Sequence, residues 1–247
     1  MSLSNETKTL LTTIAENQPK VKQQGYDEGY SQSELDFWNN FNRSKNYWMY
    51  LFAEWGHYYI RPPFKLVLPS YASTQCTFWR CWNLKRIEKK YFDFSNITVS
   101  DSEYADAHVE TFSYCSRLEV IEDIGLPAGY YYKTFLGSTW LHTIEVLRSR
   151  ETTVYSSDAF RNCKGLKNIT FEGVIGRNIS FSYSPLTVKS MKSIITHLKN
   201  YAGTDKEGTY KVTFSSACLT ALEAEGATSP NGNTWTEYMT DLGWLFS

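Results

Sequence analysis

Four times along this chain a phenylalanine is followed by a small residue at +3, a leucine at +6 and an isoleucine at +9. The copies are Phe78, Cys81, Leu84, Ile87; Phe112, Cys115, Leu118, Ile121; Phe135, Ser138, Leu141, Ile144; and Phe160, Cys163, Leu166, Ile169. Successive phenylalanines are 34 residues (78 to 112), 23 (112 to 135) and 25 (135 to 160) apart. A unit of this length cannot bury its apolar face alone, so neighbouring copies must stack and share one core. Each Leu-x-x-Ile segment predicts a short strand, and strands of successive copies predict a parallel sheet. Phe and Cys then lie on the return path and point inward. The long first interval holds Asp93-Phe-Ser-Asn-Ile97, which predicts a degenerate extra strand.

A period in the twenties with fixed apolar offsets predicts an α/β fold with a leucine-rich-repeat solenoid over residues 76–183. Such a stack offers surface for binding more than it offers a cleft for chemistry. The pattern stops at Phe181-x-x-Ser184-Pro185. Beyond it, Val188, Met191, Ile194, Ile195 and Leu198 share one helical face, with Thr187 as N-cap and Gly203 just past the helix end. A strand over 210–214 and helices over 216–225 and 235–242 complete an α/β capping element, residues 184–247. Upstream, residues 1–43 predict a helical arm. Leu3, Leu10, Ile14 and Val21 follow heptad spacing, glycines interrupt at 25 and 29, and a second helix covers 33–42. The stripe suits either an arm packed on its own protein or an anchoring, oligomerising arm. Residues 44–75 predict an irregular, aromatic-rich N-terminal cap.

The 25 Lys and Arg balance 26 Asp and Glu, so no basic field draws the chain to nucleic acid or an anionic membrane. The first residues lack the basic and apolar regions of a secretory signal, and no stretch reaches the ~20 apolar residues of a membrane span. Synthesis in a cytoplasm without membrane insertion is the expectation. Cys81, Cys115 and Cys163 share one repeat position, which predicts a column of buried thiols and not a metal site. The histidines, His57, His108, His142 and His197, are scattered, and no HExxH, GxSxG or Walker motif occurs. Neither catalysis, a metal nor a cofactor is expected.

The outward strand positions form two columns: Arg86, Val120, Thr143, Asn168, and Glu88, Glu122, Glu145, Thr170. In register, the glutamates stand about 4.8 Å apart, and facing like charges destabilise a sheet unless something compensates. The face is either solvated, with Lys85, Lys89 or Arg148 beside it, or a site for a cation or basic partner. Arg86, Glu88, Glu122, Thr143, Glu145, Asn168 and Thr170 are therefore candidate binding residues. The same register turns Val146 and Phe171 inward. Trp79, Trp82, Tyr131 and Trp140 either fill turns or form an aromatic platform for a sugar or protein.

Asp-Ala-Phe-Arg-Asn-Cys-Lys-Gly-Leu-Lys-Asn-Ile at 158–169 resembles the repeat of the BspA-like leucine-rich-repeat family. The stretches 2–21, 172–188 and 235–244 resemble leucine-rich-repeat proteins encoded in phage and prophage structural regions. The resemblance implies a non-enzymatic virion protein of the tail or baseplate. Its N-terminal arm would dock on other tail proteins, and its solenoid would meet a host-surface protein or glycan. It also implies a homo-oligomer, by analogy with trimeric tail fibres. Ser138 departs from the family's cysteine, and residues 44–75 and 88–110 match poorly. The alternative is a bacterial cell-surface or intracellular leucine-rich-repeat interaction protein.

Overall fold

The computed structural model describes residues 51–62, 65–68, 70, 72–99 and 108–247. The arm expected over 1–43 lies outside them. Two compact units divide the chain. One joins residues 1–47 to 61–66, and of it only Arg61, Pro62, Lys65 and Leu66 are described. The other joins 48–60 to 67–247, so both the repeats and the element after them belong to it. Strand β1 (Leu66–Val67) falls at the boundary. All that follows concerns the larger unit.

The Leu-x-x-Ile segments form β2 (Arg86–Ile87), β4 (Val120–Ile121), β5 (Thr143–Ser149) and β6 (Asn168–Gly173). They make a parallel four-stranded sheet in the order β2-β4-β5-β6. Arg86, Val120, Thr143 and Asn168 are successive partners, as are Ile87, Ile121, Ile144 and Ile169. Every Leu and Ile of the motif is buried. The described residues are mixed α/β, with parallel sheets and three helices, and form no closed barrel. The extra strand of the long interval is β3 (Phe92–Asp93), slightly earlier than expected. The amide of Leu68 donates to the Asp93 carbonyl at 3.0 Å and that of Phe94 to the Ile124 carbonyl at 2.7 Å, which hold the chain there.

The motif phenylalanines stack face to face. Ring centroids are 5.3 Å apart for Phe78 and Phe112, 5.7 Å for Phe112 and Phe135, and 5.1 Å for Phe135 and Phe160, with interplanar angles of 7°, 6° and 12°. The stack runs beyond the motif. Phe52 lies 5.4 Å from Phe78, and Phe181 lies 4.5 Å from Phe160 and 6.3 Å from Phe214. Contacts of this kind are each worth about 0.5–1.5 kcal/mol beyond burial.

Hydrogen bonds explain why the residue at +3 must be small and carry a donor. Cys81 Sγ donates to the Phe52 carbonyl at 2.8 Å, Cys115 Sγ to Phe78 at 2.9 Å, Ser138 Oγ to Phe112 at 2.7 Å and Cys163 Sγ to Phe135 at 3.0 Å. Each copy is thus tied to the main chain of the one before. Threonines just ahead of the phenylalanines repeat the device, with Thr111 Oγ1 donating to the Thr74 carbonyl and Thr134 Oγ1 to that of His108. Because Ser138 already does the cysteine's work, Cys115→Ser should shift stability by under about 1 kcal/mol. Cys115→Val, which keeps the bulk but removes the donor, should cost roughly 1–2 kcal/mol in urea denaturation. Equal losses for the two variants would show that volume alone governs the position.

The sheet is closed at one edge by α1 (Val188–Thr196), whose N-cap Thr187 accepts from the Ser190 amide. Ser190 Oγ accepts from the Ile169 amide at 3.0 Å and Ser193 Oγ from the Phe171 amide at 3.1 Å. These two N–H groups of β6 would otherwise invite another strand. The helix is shorter than expected: His197 is its C-cap, and Gly203, though at φ +71°, plays no part in closing it. Bonds between Ile175 and both His197 and Lys199 pull the chain into extended pairing there. A second parallel sheet, β7 (Ile179–Phe181), β8 (Lys211–Phe214) and β9 (Leu245–Phe246), follows in that order. Helices α2 (Ser216–Glu223) and α3 (Trp235–Asp241) are N-capped by Ser215 and Thr234, the latter in a capping box with Glu237.

One inward assignment changes. The register between β5 and β6 slips between Ile144 and Leu147, so Leu147 and not Val146 faces Phe171. Leu147 and Phe171 are buried and Val146 is half-buried. A bulge inserts a residue on one strand and exchanges its faces beyond that point.

Candidate binding surface

The column Arg86, Val120, Thr143, Asn168 stands in register on the sheet. The glutamates do not form the flat ladder expected of them. Pairing of β2 with β4 ends at Ile87 and Ile121, and the β5 bulge begins after Ile144, so Glu88, Glu122 and Glu145 lie just beyond the shared ladder. Two of them turn back onto the main chain. Glu122 accepts from the Lys89 amide at 2.9 Å and Glu145 from the Asp123 amide at 3.1 Å, each one copy earlier. Short parallel strands leave such amides open, and a carboxylate satisfies them.

Compensation comes from within the columns. Arg86 donates to Glu122 Oε1 through Nε at 2.9 Å and Nη2 at 2.6 Å. Arg148 forks onto both Asp123 oxygens at 2.7 and 3.0 Å and also pairs with Glu172 at 3.1 Å. Thr170 is exposed at the glutamate position of the last copy, and Asn168 contacts Thr143 at 3.5 Å. Among the described residues no three His, Cys, Asp or Glu gather to hold a metal ion.

Burial pushes the Glu122 carboxyl up, but the Arg86 guanidinium and the Lys89 amide outweigh it and hold the group below its ordinary value. Arg148, against a smaller effect of burial, holds Asp123 below its own. Both groups bind protons less readily folded than unfolded. Their contribution is therefore complete above the unfolded pKa, near 4, and is lost as pH falls through the depressed folded value. The urea midpoint should fall below about pH 4, and by less in Glu122→Gln. The Arg86 side chain is 42% exposed, so screening keeps the effect small. An identical pH profile for the variant would remove Glu122 from the account.

The four expected platform rings do not gather. Tyr131 is wholly buried; its hydroxyl donates to the carbonyls of Pro127 and Arg148, and its ring stacks on Tyr155 at 5.2 Å. It is a core residue of the stack. Trp79 is half-buried at the turn after Phe78, with the Arg80 guanidinium 4.1 Å over its ring. Trp82 and Trp140 differ: they are 47% and 59% exposed. Both lie in the short turn between the Cys or Ser position and the Leu.

That turn is a column in its own right. Ser116 Oγ donates to the Trp82 carbonyl at 3.4 Å and Thr139 Oγ1 to the Ser116 carbonyl at 3.3 Å. Beside it, amides of Lys85, Glu119, His142, Lys167 and Thr187 donate in turn to carbonyls of Tyr58, Lys85, Glu119, His142 and Lys167 at 2.8–3.0 Å. Tyr58 thereby takes the place that Lys85 holds in the next copy, and its ring lies 5.6 Å from Lys85 Nζ. Tyr58, Tyr59, Arg117, His142, Lys164 and Lys167 are exposed along this edge and were not among the residues expected to bind. Their signal is position: apart from the two tyrosines, they sit one or two residues after the Cys or just after the Leu of the motif.

No helix among the described residues is long and apolar enough to cross a membrane. No protein family, curated protein or solved structure matches the chain.

Proposed function

We propose that the stacked copies are a leucine-rich-repeat solenoid of the BspA-like kind, and that the protein is a non-enzymatic component of a phage tail or baseplate. In this reading the solenoid binds a host-surface protein or glycan, and the N-terminal arm docks on other tail proteins and supports a homo-oligomer. The observation that carries the binding role is the register of the four motif copies at Arg86, Val120, Thr143 and Asn168, which sets variable outward side chains beside one another over a repeated interior. A repeated interior frees the outward positions to be shaped by a ligand. The phage assignment rests on the residue resemblance of 2–21, 158–169, 172–188 and 235–244. Mass spectrometry of purified particles tests it. The chain should appear at a fixed ratio to other tail proteins, and its absence from intact particles would overturn the assignment.

A further inference from the structure

The outward surface divides by charge along the stacking direction. On the side where each copy enters its strand lie Lys85, Arg86, Arg117, Lys164 and Lys167 with one carboxylate, Glu119. On the side where it leaves lie Glu88, Glu122, Asp123, Glu145 and Glu172, joined by Lys89 and Arg148. Arg86 and Arg148 are already engaged by Glu122 and Asp123. Arg117, Lys164 and Lys167 form no ion pair with any described residue. Arg117, Lys164 and Lys167 thus place unpaired positive charge on the entering edge, where Trp82 and Trp140 also stand exposed. Lys89, on the leaving side, lies among carboxylates and acts on Glu122.

The setting of the two indoles is specific. They lie two copies apart, about 10 Å at one strand spacing per copy. Ser116, Arg117 and Thr139 separate them, so they are isolated rings in a polar strip and not one apolar patch. The copy after Trp140 carries Gly165 at the corresponding position. A Cβ there would approach the Thr139 carbonyl oxygen to 2.9 Å and the Trp140 backbone to 3.1 Å, so the site excludes any side chain beside Trp140. Tyr58 and Tyr59 extend the aromatic run by one copy before Trp82.

We infer that this edge, Trp82 through Trp140 with Arg117, Lys164 and Lys167, binds a linear acidic polysaccharide lying along the stacking direction. The inference rests on the proposed reading of the stack as a binding surface. Spaced indoles offer faces to the C–H surfaces of sugar rings, and polar residues between them meet hydroxyls. The sparse cations match a carboxylate borne by occasional sugars. A nucleic acid carries a phosphate on every nucleotide and needs a continuous basic groove. Here Glu119 and the neighbouring carboxylates interrupt any such field. A protein partner would call for a contiguous desolvated centre, and the polar strip between the tryptophans does not provide one.

Titration of the full chain with polygalacturonate, neutral dextran and oligo-dT tests the proposal. Polygalacturonate should bind, more weakly as salt rises, with dextran and oligo-dT at least tenfold weaker. Trp82→Ala and Trp140→Ala should each weaken binding about tenfold, and Lys164→Glu combined with Lys167→Glu by at least as much. Tyr183→Ala, an exposed aromatic change on a different turn, should leave it unaltered. The proposal is overturned if polygalacturonate fails to bind, if both tryptophan variants bind normally, or if oligo-dT binds more tightly. Labelled protein on bacterial cells separates the two readings. Cell binding that persists in the Trp82→Ala, Trp140→Ala double variant keeps the binding surface and removes this edge from it. A wild-type chain that binds neither cells nor polymer removes both.

Discussion

Phe135→Ala should lower the unfolding free energy by about 3–5 kcal/mol, the range for a phenylalanine truncated inside a packed core. Phe135 is fully buried, sandwiched between Phe112 and Phe160 with ring planes 6° and 12° away, and Tyr131 packs at 6.4 Å. The cavity cannot close, because the main chain around it is tied copy to copy: Ser138 Oγ donates to the carbonyl of the wall residue Phe112, and Cys163 Sγ to the carbonyl of residue 135 itself. Urea denaturation followed by tryptophan fluorescence would read the change as a lower midpoint with an unchanged slope. The exposed Trp140→Ala should stay within about 0.5 kcal/mol of wild type. A loss below about 1 kcal/mol for Phe135→Ala would mean that the stack relaxes, contrary to interdigitated packing.

Gly173→Ala is the second large effect, and its cause is the backbone. Gly173 ends β6 at φ +86°, paired with Ser149, and a Cβ there would overlap the Ser149 carbonyl oxygen. That carbonyl is not free to move, since it accepts from the Val174 amide at 3.1 Å while Ser149 Oγ donates to the Val174 carbonyl at 2.9 Å. Left-handed strain of about 1–2 kcal/mol adds to an overpacking cost of about 1–3 kcal/mol, for a total of roughly 3 kcal/mol. Hydrogen exchange should show the β5–β6 amides opening first. Protection unchanged at Ser149 and Val174 would refute the close-approach argument.

Much of this architecture is legible in the residues because a repeat states the same packing problem several times. Phe, Cys, Leu and Ile at offsets 0, 3, 6 and 9 mark the inward positions, and all of these motif residues, with Ser138 among them, are buried. Shared position also distinguishes Cys81, Cys115 and Cys163 as interior thiols, and burial raises the thiol pKa of Cys115 and Cys163. Where the repeat is imperfect, the residues say less. Phe52 joins the stack although Trp55 stands where the next copy has Cys81, so no motif announces it. The bulge that exchanges Val146 for Leu147 leaves no local mark, since both are apolar and suit a strand equally.

The sequence by itself determined the stacked parallel sheet, its inward columns and the helical cap that begins at Thr187, because periodicity and capping are properties of residue order. Tertiary structure alone decided the surface. It turned Glu122 and Glu145 onto backbone amides left open by two-residue strands, buried Tyr131 under Tyr155, and brought Trp82 and Trp140 to the edge that carries Arg117, Lys164 and Lys167. The physical reason is that an outward side chain obeys neighbours one copy away, some twenty to forty residues distant in the chain, and those neighbours follow no period.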